Sequence, residues 1–411
     1  MNILSEKKVL FISYDGLLDQ LGASQILPYL EGLKSDVDRI YIISFEKRDK
    51  MNERGKELFQ NLRKKGIDWH PLMFTSKYGA LGKVFDAIKM QYFAFYLSWR
   101  RSIDIIHCRS HLPAIVGRTV KLIFGSKFIF DFRGLWVDER IDKGGWDLKF
   151  FFHRFQYKFL KFIESFLISG SDHIVVLTEK VIKEVQYLGK QNIEAISVIP
   201  CCADYSHFKI INNDSNLKTD LNISQNSTVI GYLGSVGKMY MIREMILFFK
   251  EYLSINPSSI LFVVTEEINE FMIIAEKELN PQQLENIRIR SASRDKVPEY
   301  INLMDIMAMF CVPTYARIAA CPTKMGESFA CGVPIISNKG IGDVSKIVLK
   351  IKGGIVLNDI TSKSIAFGIR ELQKGNYLSG NALREASEDI FSLNLGIKKY
   401  LKVYQSIIIS S

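Results

Sequence analysis

Short apolar segments alternate with amphipathic helical stretches through most of this chain; the pattern breaks near residue 200 and resumes after residue 227. No other feature narrows the fold as far. Strands are expected at 9–13, 40–45, 103–108, 127–132 and 173–177, with helices over 24–34, 52–65, 83–101 and 149–168. A strand, a helix and a second strand make a crossover, and repeated crossovers give a parallel sheet covered by helices on both faces. Residues 200–227 include Pro200, Asp204, Asn212, Asn213, Asp214, Ser215 and Asn216, a polar run with little periodicity that reads as a linker. Beyond it, strands are expected at 229–233, 260–264, 287–290, 306–312, 333–337 and 354–357. The expected fold class is therefore α/β: two Rossmann-like, doubly wound parallel-sheet domains facing each other across a cleft. Their expected bounds are 1–204 and 205–392, with 393–411 a C-terminal helix packing back on the first domain. Open parallel sheets bind ligands outside the carboxyl ends of their strands, so two such sheets suit a reaction that joins two substrates.

Length agrees with two domains, because 411 residues exceed what one ordinary core holds. Hydrophobic content of 47% against 24% charged excludes a disordered chain. The cysteines (108, 201, 202, 311, 321 and 331) form no C-x-x-C pair, which suits reduced thiols rather than a disulfide framework. The apolar run 9–13 is shorter than the core of a secretion signal. No run approaches the ~18 apolar residues that would span a bilayer. A cytoplasmic location is expected. The net charge of +10 is spread along the chain and favours anionic partners such as nucleotides or phospholipid headgroups. Nucleic acid is not expected, since no basic-aromatic reading motif accompanies the charge.

The densest chemistry lies between Cys321 and Ile336. Pro322 can open a helix where its missing N–H costs nothing. Thr323 and the next free N–H groups then face an electropositive helix entrance that suits an anion. Lys324 adds a full charge, and Glu327 follows one turn on along the same face. A cation beside an acid suits a phosphorylated sugar or a ribose, whose paired hydroxyls a carboxylate can accept. The same residues also fit an ordinary capped crossover from helix to strand.

Two glycine loops offer further backbone donors. Tyr14-Asp15-Gly16 ends the first strand ahead of Gly22-Ala23-Ser24-Gln25, without the G-x-G-x-x-G of a dinucleotide site. Gly231-Tyr232-Leu233-Gly234-Ser235-Val236-Gly237-Lys238 resembles a P-loop but has Tyr232 for its first glycine and Met239 for its Ser/Thr. That argues against a P-loop NTPase and leaves a loop whose Lys238 and backbone could meet a diphosphate. Asp131-Phe132-Arg133-Gly134-Leu135-Trp136, with Asp138, Glu139 and Arg140, clusters charge just past a strand, where Arg133 could clamp a phosphate or carboxylate. His107 and His111 lack a third ligand at metal spacing, and Asp36 with Asp38 reads as a solvated turn, so no metal is expected. Over 149–168, Phe151, Phe155, Phe159, Phe162 and Phe166 share one helical face flanked by Arg154, Lys158 and Lys161. The phenylalanines are expected to pack on the sheet and the basic flank to meet anionic lipid.

Taken together, these segments resemble GT-B glycosyltransferases of the retaining family four, in a branch that builds bacterial polysaccharides. The resemblance is collinear over nearly the whole chain. It rests on Leu21-Gly22-Ala23-Ser24-Gln25, Asp104-Ile105-Ile106-His107, Phe130 through Arg140, Val198-Ile199-Pro200, Tyr232-Leu233-Gly234-Ser235 and Pro322 through Pro334. It implies an acceptor-side first domain and a donor domain after it. By this likeness Glu327 would hold the ribose of a nucleotide sugar, and Thr323 and Lys324 its diphosphate. Gly22, Gly234, Ser235 and Lys238 complete the expected donor set, while Asp131, Arg133 and Lys324 are the expected catalytic residues. No cofactor is implied beyond the nucleotide-diphosphate sugar as co-substrate. The acceptor would be a glycan or a polyprenyl-linked intermediate at the cytoplasmic membrane face, with peripheral contact to anionic lipid. The pattern departs at three places: Ala319 stands where many members carry an acid that touches the transferred sugar, and Ser235 and Tyr240 stand where they carry arginine and lysine. Lys238, Lys324 and Arg317 are the candidates to replace that charge. These departures leave open a sugar-nucleotide epimerase of the same shape and an inactive partner subunit.

Overall fold

Seven parallel strands form the first sheet: β1 (Lys8–Ser13), β2 (Arg39–Glu46), β3 (Ile67–Met73), β4 (Ile105–Arg109), β5 (Lys127–Phe132), β6 (His173–Val176) and β7 (Ile196–Val198). Their order across the sheet is β3-β2-β1-β4-β5-β6-β7. Six more build the second: β8 (Val229–Leu233), β9 (Ile260–Val264), β10 (Ile287–Arg290), β11 (Ile306–Met309), β12 (Ile335–Asn338) and β13 (Gly354–Leu357), in the order β10-β9-β8-β11-β12-β13. The computed structural model describes residues 3–75, 79–211 and 215–409. The chain divides into two compact units, Met1–Pro200 with Leu393–Ser411, and Cys201–Ser392. In each sheet the order reverses beside the first strand, between β1 and β4 and between β8 and β11. Such a reversal opens a crevice at the carboxyl ends of the strands.

Helices cover both faces of these sheets, so the strands read as unbroken apolar runs rather than alternating ones. Val9–Ile12 and Ile260–Val264 are buried at every position. Two strands escaped the sequence pattern. β3 carries Trp69-His70-Pro71, and Pro71 is tolerated because β3 is an edge strand that can spare the donor. β7, at the other edge, is only three residues long. The Leu393–Ile409 helix belongs to the first unit: Ile397 lies where Gly32 has no side chain, and Tyr400 meets Tyr29 edge-on at 5.5 Å.

One helix turns the other way from expectation. In the Phe151–Gly170 helix the buried residues are Glu164, Leu167, Ile168 and Gly170. The phenylalanine stripe faces outward, with Phe151 76% and Phe162 69% exposed. The cause is a polar anchor. Glu164, fully buried, accepts from His111 Nε2 at 2.7 Å and pairs with Lys161. Fixing Glu164 inward at 100° per residue carries positions 151, 155, 159, 162 and 166 to the opposite side.

Candidate functional site

The Thr323–Ala330 helix supplies the centre of the site in the second unit. Pro322 precedes it as the cap residue, at φ −66° and ψ 119°, rather than lying inside the first turn. Lys324 then points across the carboxyl end of β8. Its ammonium lies 5.0 Å from the Tyr232 ring centre and 4.6 Å from that of Tyr240. It is sealed from solvent and, among the described residues, has no hydrogen-bond acceptor. Gly234 sits at φ +138°, a conformation that favours glycine, and a Cβ there would push that ammonium out of place. Burial pulls the Lys324 pKa down to about 8, against the opposing pull of Cys311 and Glu327.

Arg317 adds a second cation of the same kind. It lies in the 3₁₀ turn Tyr315–Ala319, its Nε is buried without an acceptor among the described residues, and its charge further depresses Lys324. Glu327 is buried one turn beyond Lys324, with the Arg294 guanidinium 3.8 Å away. Burial raises its carboxyl to about 7 despite the cations of Arg294 and Lys324. Among the described residues this region thus holds buried charge that its own side chains leave largely unpaired. A helix N-terminus adds positive potential at the same place. An anion with neighbouring hydroxyls matches what is left unsatisfied.

The loop after β8 divides the remaining donor candidates. Tyr232 donates its hydroxyl to the carbonyl of Ser235 at 2.6 Å, and Val236 N–H donates to the Glu267 carboxylate. Ser235 and Lys238 themselves are exposed. Of the candidates to replace the missing loop cation, Lys324 and Arg317 are the two that come together. Tyr240, standing where the resemblance carries lysine, lends its ring face to Lys324 instead. Ala319 is buried.

In the first unit, Asp131, next to last in β5, is almost fully buried. Its carboxylate meets Arg133 at 3.4 Å, Arg109 at 3.6 Å and His107 at 3.8 Å. Burial alone would raise its pKa; Arg133, then His107 and Arg109, hold it well below the usual carboxylate range. Arg109 also reaches Asp15 at 3.3 Å, and Tyr404 hydrogen-bonds His107 Nδ1 at 2.9 Å. The two histidines have different partners, His107 with this cluster and His111 with Glu164. Gly22 lies in the Gln20–Gln25 helix, where a Cβ would strike the Gly16 carbonyl, so its glycine serves the packing of its own loop. Near the carboxyl ends of β1 and β3 a cavity of about 620 Å³ is lined by Tyr14, Phe74, Thr75, Gly79, Lys83, Asp86 and Arg140. Asp86 accepts from the Tyr14 hydroxyl at 3.0 Å and from Thr75 N–H.

Several of these residues gave no signal in the sequence. Arg294 reaches the Lys324–Glu327 region from a distant 3₁₀ turn, and Lys83 and Asp86 are ordinary helix positions until the fold brings Tyr14 beside them.

At the level of sequence no family model and no curated protein matches this chain. Solved structures do. HepE from Anabaena, determined in complex with UDP and glucose, superposes with a TM-score of 0.69 at 16% identity, covering 98% of this chain and 100% of its own. A glycosyltransferase from Rickettsia africae gives 0.69 at 17% identity, over 99% and 100%. Sucrose-phosphate synthase from Thermosynechococcus elongatus gives 0.72 at 13% identity, over 99% and 100%. At such identities the likeness establishes the fold: two parallel-sheet α/β domains matching GT-B glycosyltransferase structures.

Proposed function

We propose that this chain is a glycosyltransferase, moving a sugar from a nucleotide-diphosphate donor to a glycan or polyprenyl-linked acceptor in the synthesis of a bacterial surface polysaccharide. One observation carries the reading. Among the described residues, Lys324 Nζ, in the first turn of the Thr323–Ala330 helix, and Arg317 Nε, in the 3₁₀ turn before it, are both buried without acceptors. A buried charged donor left unpaired costs more than ~1–3 kcal/mol, and an anion placed beside both would offset that cost. A diphosphate would do so, with Glu327 accepting from the ribose hydroxyls one turn away. Thr323 and Gly234 would offer backbone near the phosphates.

In the retaining reaction proposed, the bond from the sugar C1 to the diphosphate oxygen breaks. The acceptor oxygen bonds to C1 on the same face, and its proton passes to the departing phosphate oxygen. Lys324, Arg317 and the helix N-terminus would stabilise the charge that grows on that diphosphate. Asp131 would act by holding Arg109 and Arg133 in place. The cavity between Lys83 and Arg140 is the candidate acceptor site, since its cations and aromatic walls suit a phosphate joined to an apolar chain. The protein would then work peripherally at an anionic membrane face.

The buried, apolar Ala319 favours a second reading, an inactive subunit that binds a partner transferase. A thermal-shift screen against UDP, GDP, ADP and CMP, with Glu327→Ala alongside, separates the two. A nucleotide at ~100 times its dissociation constant stabilises by ~2.7 kcal/mol. A shift with one nucleotide that is lost in the variant is expected; no shift with any would favour the inactive subunit. Turnover of the nucleotide sugar without acceptor would instead identify an epimerase.

A further inference from the structure

Three helices of the first unit, Gly79–Arg101, His111–Phe124 and Phe151–Gly170, lie side by side, with His111–Phe124 in contact with each of the other two. Each carries an apolar stripe on its outer side. Leu81, Val84, Phe85, Ile88, Tyr92 and Trp99 are exposed on the first, with Trp99 at 70%. Leu122 and Ile123 are exposed on the second, and the phenylalanines from 151 to 166 on the third. Ring contacts join the stripes across the helices. Phe95 meets Phe124 at 5.7 Å, and the Arg118 guanidinium stands 5.0 Å over the Phe166 ring. An exposed aromatic surface of this extent exceeds what scattered surface hydrophobes explain and marks a place where something else excludes water.

We infer that this three-helix face is a membrane-docking surface that seats its aromatic side chains in the interface of an anionic bilayer. It deepens the peripheral-membrane part of the proposed function and needs nothing from the sugar chemistry. Charge selects the occupant. Arg100, Arg154 and Lys158 are exposed on these helices beside the stripes. Their only acids, Asp86 and Glu164, are both buried and hydrogen-bonded. Aromatic residues with Lys and Arg and no exposed acid are the composition of a helix lying in a lipid interface. A second copy of the chain fits poorly. A two-fold contact would set the like charges of this face against each other, which costs affinity. No described helix is long and apolar enough to cross a membrane, so the contact would be interfacial.

The test is co-sedimentation of the full chain with vesicles of phosphatidylglycerol in phosphatidylcholine, and with phosphatidylcholine alone. Binding is expected to the first and much less to the second, and added salt should weaken it. Because the phenylalanines are exposed, Phe155→Ser and Phe159→Ser should leave the melting temperature nearly unchanged while each lowers vesicle partition roughly tenfold. Lys158→Glu should lower it more than fivefold, since each basic residue near such a surface accounts for about fivefold. Trp99 emission should shift to the blue on binding. No binding to either vesicle, equal binding to both, or a concentration-dependent dimer abolished by the serine variants would each overturn the inference. Nucleotide stabilisation, measured without vesicles, reports on the donor site separately, so failure of one reading leaves the other standing.

Discussion

Two polar clusters, one in each unit, sit at the carboxyl ends of similar sheets and differ in whether their charges are met. Around Asp131 the acid is surrounded by Arg133, Arg109 and His107, and its pKa falls. Around Lys324 and Glu327 the base is pulled down and the acid pushed up, because burial outweighs the few opposing charges nearby. The first cluster is stabilised by its own members. The second is strained toward neutrality, which is the condition of a site shaped for a ligand that brings charge of its own. The difference predicts that mutations should act in opposite senses on the two clusters.

The largest effect should come from Asp131→Ala. It leaves Arg109 and Arg133 without their buried counter-charge, a loss of about 3–5 kcal/mol. Thermal unfolding checks this, and a change of under ~1 kcal/mol would mean that the cluster does not hold the first unit together. Next is the pH response of the second cluster. Glu327 binds its proton more tightly when folded, at about 7 against 4.5 unfolded. Its stabilising contribution is therefore complete below pH 4.5 and is lost as pH rises through 7, a change of up to about 3 kcal/mol. Lys324 has the reverse sense, folded near 8 against 10.5 unfolded, so its burial penalty is relieved between those values as pH rises. Melting of the ligand-free protein should fall from about pH 5 to pH 8 more steeply in the wild type than in Glu327→Gln. Parallel curves would remove Glu327 from the strained pair.

Lys324→Met sharpens the contrast from the binding side. It should weaken the nucleotide by ~2 kcal/mol or more, the loss of a charged hydrogen bond. Yet it removes an unpaired buried charge, so the ligand-free protein should melt no lower than the wild type. Isothermal titration and a melting curve on the same sample test both halves. A variant that loses stability but keeps affinity would exchange the roles assigned to the two clusters.

What could be read beforehand follows from which forces are local. The strand-helix alternation is local, and it anticipates eleven of the thirteen strands; β3 was hidden by Pro71, whose tolerance depends on edge position, a property of the sheet. The Phe151–Gly170 helix was legible as a helix but not in its orientation. Leu160, Ile163, Leu167 and Ile168 offer an apolar face as credible as the phenylalanines. The Glu164–His111 contact decides between them, across 53 residues of sequence. At the candidate site, the Thr323–Ala330 segment carries its chemistry in adjacent residues and so announces itself. Arg294 belongs to it only through the fold.

Tyr240 offers the smallest and most discriminating test. It occupies the place where the resemblance has a cation, and its ring lies 4.6 Å from the Lys324 ammonium. If the ring steadies that charge, Tyr240→Leu should cost about 0.5–2 kcal/mol of nucleotide affinity. The same variant should lower the Lys324 pKa further, moving the alkaline edge of nucleotide binding to lower pH. Loss of packing alone would reduce affinity by a similar amount but leave that edge where it was. Tyr240→Phe keeps the ring and removes only the hydroxyl, so it should restore both affinity and edge. If phenylalanine fails where tyrosine succeeds, the hydroxyl is the working group, and the missing cation has been replaced by a hydrogen bond rather than by a ring face.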